Sequence, residues 1–297
     1  MNILITGGTG LIGRALVAKL QDVHDITVLT RQTANAQRTL GPKVAFINKL
    51  DAISDIGEFQ AIINLAGEPI ADKRWTSHQK QKICDSRWDI TSSLVAKVNS
   101  SERPPAVFLS GSAIGFYGQK GAEEVSEDTP PHDEFTHQLC KKWEAIAFTA
   151  QSNVTRVCTL RTGVVLTAKG GALEKMALPF KLGLGGKLGS GEQYLSWIHI
   201  NDMVNAIVFA LENPSCKGAI NMTAPEPVTN KVFSHALAKA LSRPCLFTVP
   251  AFVMKVLMGE SANMILDGQK VIPAKLTTAG FQFSFPTLEA ALDDIYR

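Results

Sequence analysis

Three glycines, Gly7, Gly10 and Gly13, follow directly on the apolar run Ile3 to Ile5 and lead into Arg14-Ala15-Leu16-Val17-Ala18-Lys19-Leu20. At this spacing the first glycine permits a tight turn, the second lets a pyrophosphate approach the backbone, and the third packs a helix against the preceding strand. Thr9, Leu11 and Ile12 lie between them, so the expected phosphate contacts span Gly7, Thr9, Gly10, Leu11, Ile12 and Gly13. The anion would rest on a helix N-terminus, where free N–H groups and the helix dipole stabilise negative charge without a charged side chain. The alternative is a turn whose glycines serve geometry alone. A second position bears on which dinucleotide is bound. Thr30 and Arg31 close the run Asp25 to Thr30. An acidic residue there would bond the ribose 2′-hydroxyl, whereas an arginine complements a 2′-phosphate. No acidic residue stands beside Arg31, which implies NADP(H), the alternative being an arginine merely exposed after a strand. Ser112 and Tyr117 bring hydroxyl groups to the end of another apolar run, Ala106 to Ser110. Tyr117 could supply a proton or could pack as an aromatic in a cleft wall.

The elements that position these residues alternate. Strands are expected at Asp25–Thr30, Val44–Asn48, Ala61–Gly67, Ala106–Ser110 and Thr155–Leu166, with helices over Gln79–Asn99 and Phe135–Ala150. This alternation predicts an α/β fold, a Rossmann-type doubly wound parallel sheet with a smaller C-terminal appendage. In such a sheet the carboxyl ends of the strands line the ligand crevice, so Leu65, Ala66 and Gly67 would let the adenosine half of a cofactor lie against backbone. Lys82 and Arg87 ride on the following helix, where they either reach the cofactor or are simply solvated.

After residue 166 the regularity breaks. Gly183 to Gly191 holds five glycines in nine residues, lacks the Gly-Lys-Ser/Thr ending of a P-loop, and is expected to be a mobile loop over the cleft. A strand at Tyr194–Ile200 and a helix at Met203–Leu211 follow. The tail from about Phe247 carries two amphipathic stretches, Val253–Met258 and Thr287–Tyr296. The organisation expected is a dinucleotide-binding core over 1–166, cleft-lining segments and remaining sheet elements over 167–246, and a small helical C-terminal domain over 247–297.

Composition narrows the function classes. A chain of 297 residues, 45% hydrophobic and 19% charged, is long enough to bury a full core and is neither disordered nor fibrous. A net charge of +3 without basic runs gives no support to nucleic-acid binding. No stretch approaches the roughly 18 apolar residues of a membrane span, and the glycine-broken start is unlike a signal peptide. Cys84, Cys140, Cys158, Cys216 and Cys245 are widely spaced with no Cys-x-x-Cys pair, which suggests neither disulfides nor zinc and fits a reducing cytoplasm. His132 and His137, five apart, do not share a helical face, so no metal site is expected.

Taken together, Thr6 to Gly13, Asn64 to Gly67, Ser112 with Tyr117-Gly118, Arg161-Thr-Gly-Val-Val and Trp197 to Asp202 resemble the extended short-chain dehydrogenases, the group that contains nucleotide-sugar epimerases. More narrowly, Asn64 to Trp75, Ser86-Arg87-Trp88, Leu182 to Gly191 and the tail with Gly268 to Pro273 and Gly280-Phe281 look like the atypical "epimerase family protein" subgroup with its C-terminal domain of unknown function. The resemblance implies a Tyr-x-x-x-Lys pair on the helix after the serine. Anchoring on Glu144 places Thr136 and Cys140 there instead. Neither substitutes: threonine is no general acid near neutral pH, and cysteine carries no positive charge. The resemblance further implies that the subgroup keeps the serine, commonly has this cysteine, and carries arginine where others have asparagine, a position Arg87 fits. Cys140 is then a catalytic thiol or a small apolar residue on a buried face. Two functions stay open: an NADP(H)-dependent oxidoreductase or epimerase-like enzyme acting on a polar or sugar-like small molecule, with Ser112 bonding the reacting oxygen, or a non-catalytic NADPH-binding redox sensor.

Overall fold

A computed structural model describes residues 1–297. In chain order the elements are β1 (Asn2–Thr6), α1 (Leu11–Leu20), β2 (Asp25–Leu29), α2 (Thr33–Leu40), β3 (Ala45–Ile47), β4 (Ala61–Asn64), α3 (Ser77–Ser100), β5 (Val107–Ala113), β6 (Glu124–Val125), α4 (Phe135–Phe148), β7 (Arg156–Thr162) and β8 (Val164–Leu166). They continue with α5 (Gly171–Lys181), β9 (Gly186–Leu188), β10 (Tyr194–Leu195), β11 (Trp197–His199), α6 (Ile200–Glu212), β12 (Gly218–Met222), β13 (Val228–Thr229), α7 (Asn230–Ala240) and β14 (Phe247–Val249). The tail holds α8 (Ala251–Met258), α9 (Asn263–Leu266), β15 (Lys270–Val271), α10 (Ala274–Thr278) and α11 (Leu288–Tyr296).

Seven strands form one sheet in the order β12-β7-β5-β4-β1-β2-β3, every neighbouring pair parallel. Alternation along β1 sends Ile3 and Ile5 to one face, where α1 and α6 cover them through Leu16, Val17, Leu20, Met203 and Ile207, all buried. Leu4 points to the other face with Ile62, Phe108 and Val157, under Leu94, Val95 and Val98 of α3 and Ala147 of α4. Because both faces are covered, the strands read as nearly continuous apolar runs. The chain reverses direction across the sheet between β1 and β4, and the crevice beyond their carboxyl ends is the expected ligand position.

Several boundaries differ from the sequence reading, each for a local reason. The helix α1 begins at Leu11, inside the glycine triplet, with Gly10 as its N-cap. The strand β5 continues past Ser110 through Ser112, and Gly111 lies within it because a Cβ there would come within 2.9 Å of the Trp143 ring. The run 155–166 breaks at Gly163, where a Cβ would lie 2.7 Å from the Ser196 carbonyl, and β8 leaves the main sheet to pair with β11. The segment Gly183–Gly191 is not a free loop. Its β9 pairs with β14, and Gly189 donates its amide to the Val249 carbonyl. The polar stretch 119–134 contains β6, which pairs in parallel with β15 and so brings the tail against the end of β5. The strand β12, the edge of the main sheet, and the helix α5 have no counterpart in the sequence reading; Gly-Ala-Ile-Asn-Met is too weakly apolar, and α5 carries glycine at its start and Pro179 inside.

Candidate functional site: a dinucleotide cradle and a polar wall

At the end of β1 the backbone leaves no room for side chains. Gly7 sits at φ +69°, and a Cβ there would lie 2.6 Å from the Leu65 carbonyl group; one on Gly13 would lie 2.2 Å from the Gly7 oxygen. Both positions therefore require glycine. The Gly10 amide closes the turn onto the Gly7 carbonyl at 2.9 Å, while the amides of Leu11 and Ile12 open α1 without a protein acceptor. That is the geometry of an anion-accepting helix N-terminus. Thr9 is exposed beside it, and Leu11 reaches across to Gly171 at the start of α5.

A buried hydrogen-bond chain holds the two sides of the crevice together. Thr6 donates to Asn64 Oδ1 (2.6 Å), Asn64 Nδ2 donates to Thr91 Oγ1 (2.8 Å), and Trp143 Nε1 donates to the same hydroxyl (3.0 Å). The Ala66 amide donates back to Thr6 Oγ1 at 3.2 Å, which fixes the extended segment 65–67 across from Gly7. None of Thr6, Thr91 and Trp143 was singled out from the sequence; the signal available was a threonine amid the apolar positions of α3. Arg31 is exposed after β2, next to Thr30. Lys82 projects from α3 and pairs with Glu68 at 3.4 Å. Arg87 is folded inward instead. Its guanidinium would lie 3.0 Å from a Cβ on Gly67, it donates to the Ile83 carbonyl at 3.0 Å, and it lies over the Trp143 ring at 5.3 Å. Burial lowers its pKa, with Cys140, Cys84 and Glu68 pulling the other way.

The second half of the crevice is a wall built on the end of β5. Ser112 donates to Glu144 Oε1 at 2.6 Å, and Arg161 grips both carboxylate oxygens of Glu144 at 2.9 Å. Arg161 also donates to the Tyr117 hydroxyl (2.9 Å) and the Glu127 carbonyl (3.1 Å) and lies 3.5 Å over the Phe116 ring. Tyr117 donates to Asn221 Oδ1 at 2.6 Å, and Asn221 in turn donates to the Ile272 carbonyl of the tail. Five of these residues, Ser112, Tyr117, Glu144, Arg161 and Asn221, are at most 5% exposed. Burial pushes the Tyr117 hydroxyl up to about 12, an effect that Arg161 and Asn221 only partly offset. The Cys140 thiol, 2% exposed behind Ser112, is also pushed up to about 12, first by burial and then by the Glu144 charge. At neutral pH it is a thiol and not a thiolate. Sequence reading names Glu144 only as an anchor and gives Arg161 no role; a charged residue at the sixth position of a seven-residue strand is the available signal.

Thr136 stands against the turn that follows Ser112, its Cβ 3.0 Å from where a Cβ on Gly115 would be, and donates its hydroxyl to Glu134 Oε1. His137 bonds the Phe116 carbonyl at 2.7 Å, and His132 lies 3.8 Å from Glu134. No three His, Cys, Asp or Glu side chains converge as a metal cluster would. No helix is long and apolar enough to cross a membrane.

Comparison with known proteins agrees with this geometry. Residues 3–222 match the NAD dependent epimerase/dehydratase family. The chain belongs to that family. Residues 249–295 match a second family described as a domain of unknown function. An epimerase family protein of Staphylococcus haemolyticus is 41% identical over 98% of both chains. A chloroplastic epimerase family protein of Arabidopsis thaliana is 40% identical over 100% of this chain and 87% of its own. The crystal structure of the human epimerase family protein SDR39U1 (isoform 2) with NADPH superposes with a TM-score of 0.90 at 36% identity, covering 100% of this chain and 99% of that one.

Proposed function

We propose that this chain is an NADP(H)-binding oxidoreductase or epimerase-like enzyme of the atypical short-chain type, moving a hydride to or from a small polar or sugar-like substrate. The observation that carries it is the cradle at Gly7, Gly10 and Gly13, a turn whose backbone packs too closely for a Cβ at Gly7 or Gly13, facing the open amides of Leu11 and Ile12. These amides and Thr9 would take the pyrophosphate, Leu65 to Gly67 the adenosine half, and Thr30 and Arg31 the 2′-phosphate. Arg87, already lying against Gly67, and Lys82 behind Glu68 close that side. The NADPH in the related human structure supports the same cofactor here. Bound NADP(H) supplies the hydride chemistry. The chain's own share is to orient the substrate: Ser112, on the strand end that faces the crevice, would turn its hydroxyl from Glu144 to the reacting oxygen.

One observation favours a second reading, an NADPH-binding sensor without turnover. Cys140 and Tyr117, the thiol and phenol of the wall, hold their protons to about 12 and exchange none near neutral pH. Two measurements separate these readings and test the cofactor. Calorimetry should show tighter binding of NADPH than NADH, with Arg31→Ala removing most of the difference, because a charge-assisted contact to phosphate is worth roughly 1.5–3 kcal/mol. Equal affinities in the unmodified chain reject the NADP(H) assignment. A panel of carbonyl compounds with NADPH fluorescence as the readout then decides between enzyme and sensor.

A further inference from the structure

Most of the large apolar side chains that this chain leaves in water lie in one place. Of the twelve that stay exposed, eight sit on the end of α5, the turn into β9, the start of β14 and the helix α8. These pieces are contiguous. Leu182 and Leu184 donate their amides to the Leu178 and Pro179 carbonyls of α5, β9 pairs with β14, and β14 runs through Pro250 into α8. Seven of the eight residues of α8 are apolar, Lys255 being the exception, yet none is buried, and Phe252 and Val256, one turn apart, are 67% and 66% exposed. A helix that is apolar all round belongs under a cover. The strand beside it is open as well. In the parallel ladder with β9 the Phe247 amide donates to the Gly185 carbonyl and the Val249 carbonyl accepts from Gly189, so the backbone groups of Thr248 point to the outer edge. The far edge of this two-stranded sheet, on β9, is closed by α7: the Leu188 amide donates to Asn230 Oδ1, and Ser234 donates to the Gly186 carbonyl. No strand lies on the outer side of β14, and between Pro244 and Pro250 the chain carries none of the charges that normally keep an edge strand from pairing.

We propose that this face, made by β14, α8 and the end of α5, is the interface of a two-fold symmetric dimer with a second copy of the chain, in which the two β14 strands pair antiparallel across Thr248. Area and backbone geometry both select this occupant. Eight large side chains at half to four-fifths exposure present on the order of 1,000 Å² of surface, beyond the few hundred Å² usual for a monomer and close to the roughly 800 Å² that each partner contributes to a stable interface. A two-fold axis at Thr248 sets its N–H and C=O opposite the same groups of the other copy. Each Thr248 then donates one bond and accepts one, so the edge left open on one chain satisfies the edge left open on the other. A lipid surface would bury the side chains but offers no partner to the Thr248 backbone, which decides for a protein. Lys255, the one charge on α8, has a stem long enough to carry its ammonium to the wet rim. No residue of the cradle or of the polar wall lies in this face, so the dimer stands independently of the cofactor reading.

The test is sedimentation equilibrium of the full chain at micromolar concentration, unmodified and as Leu246→Lys, Phe252→Glu and Val154→Glu. The unmodified chain should sediment at twice the mass of one chain. Leu246→Lys and Phe252→Glu should each raise the dimer dissociation constant about 10²–10⁴-fold, because the two-fold axis buries every substituted side chain twice. Val154→Glu, equally exposed but in the loop before β7, should leave it unchanged. All three side chains are exposed in the single chain, so each variant should fold, which unaltered circular dichroism checks. Hydrogen exchange at the Thr248 amide reads the backbone directly: slow in the dimer, fast in Phe252→Glu. A monomer at every concentration, a dimer that survives both substitutions in the face, or one that Val154→Glu also disrupts overturns the proposal. A dimer in which the Thr248 amide exchanges fast overturns the strand pairing. A monomeric chain captured by phosphatidylcholine vesicles, with capture lost in Phe252→Glu, assigns the face to a lipid surface and overturns the dimer.

Discussion

Replacing Glu144 by glutamine keeps the shape of the side chain and an oxygen for Ser112 but strands the Arg161 guanidinium, which is 5% exposed, without its counter-charge. Breaking a buried ion pair by removing one partner typically costs about 3–5 kcal/mol, because the remaining charge has lost both water and its partner. Arg161 retains the Tyr117 hydroxyl, the Glu127 carbonyl and the face of Phe116, so the lower end of that range is expected. Unfolding entropy of roughly 2.1 cal/mol/K per residue gives about 0.6 kcal/mol/K for a chain of 297 residues. A loss of about 3 kcal/mol then lowers Tm by roughly 5 °C. Differential scanning fluorimetry on Glu144→Gln, Arg161→Met and the double variant measures it. The double variant should be more stable than Glu144→Gln alone, since it removes the orphaned charge. A Tm within 1 °C of the unmodified chain for Glu144→Gln, or a double variant less stable than both singles, would refute the claim that this ion pair holds the wall.

Two further outcomes follow from the same geometry. A raised pKa means that the native state holds the Cys140 proton more tightly than the unfolded chain, so this contribution is complete below the ordinary thiol pKa of 9.0 and is lost as pH climbs towards about 12. Tm should therefore fall between pH 9 and 11, and Cys140→Ala should flatten that slope; an identical slope in the variant contradicts the assignment. Ser112→Ala should slow any NADPH-dependent turnover while leaving the NADPH Kd unchanged and costing about 1 kcal/mol of stability through the lost bond to Glu144. Turnover at the unmodified rate in that variant excludes Ser112 from contact with the reacting oxygen.

The cofactor half of the crevice was legible in the sequence because its instructions are local. Gly7, Gly10 and Gly13 sit within seven residues, and Gly7 and Gly13 are required by a close backbone approach that no other residue permits. The apolar runs Ile3–Ile5 of β1 and Ala61–Ile63 of β4 are equally explicit, since buried on both faces they have no polar positions to dilute the pattern. The elements that were missed lack such a local signature. β12 is recognisable only once β7 is beside it, pairing Asn221 with Arg161. β9 and β14 stabilise each other across a long stretch of chain, so the glycines of 183–191 read as a loop until Phe247–Val249 is placed against Gly186–Leu188. Ser112 falls inside β5, beyond the expected end, because Gly111 is a packing glycine under Trp143 and not a turn.

The polar wall was harder to read for a different reason: its members come from widely separated stretches of the chain, whose spacing does not signal their contact. Ser112, Tyr117, Glu127, Glu144, Arg161 and Asn221 meet only after β5, β7 and β12 align, with α4 laid across them, and Ile272 of the tail closes the network. That construction bears on where chemistry can occur. A network in which Arg161 is bonded to Glu144, Tyr117 and Glu127 is fixed by its neighbours, and the thiol and phenol embedded in it are held neutral by burial. It can present the Ser112 hydroxyl and shape a surface. The C-terminal segment closes this wall: β15 fixes the tail to β6, and the Ile272 carbonyl accepts from Asn221.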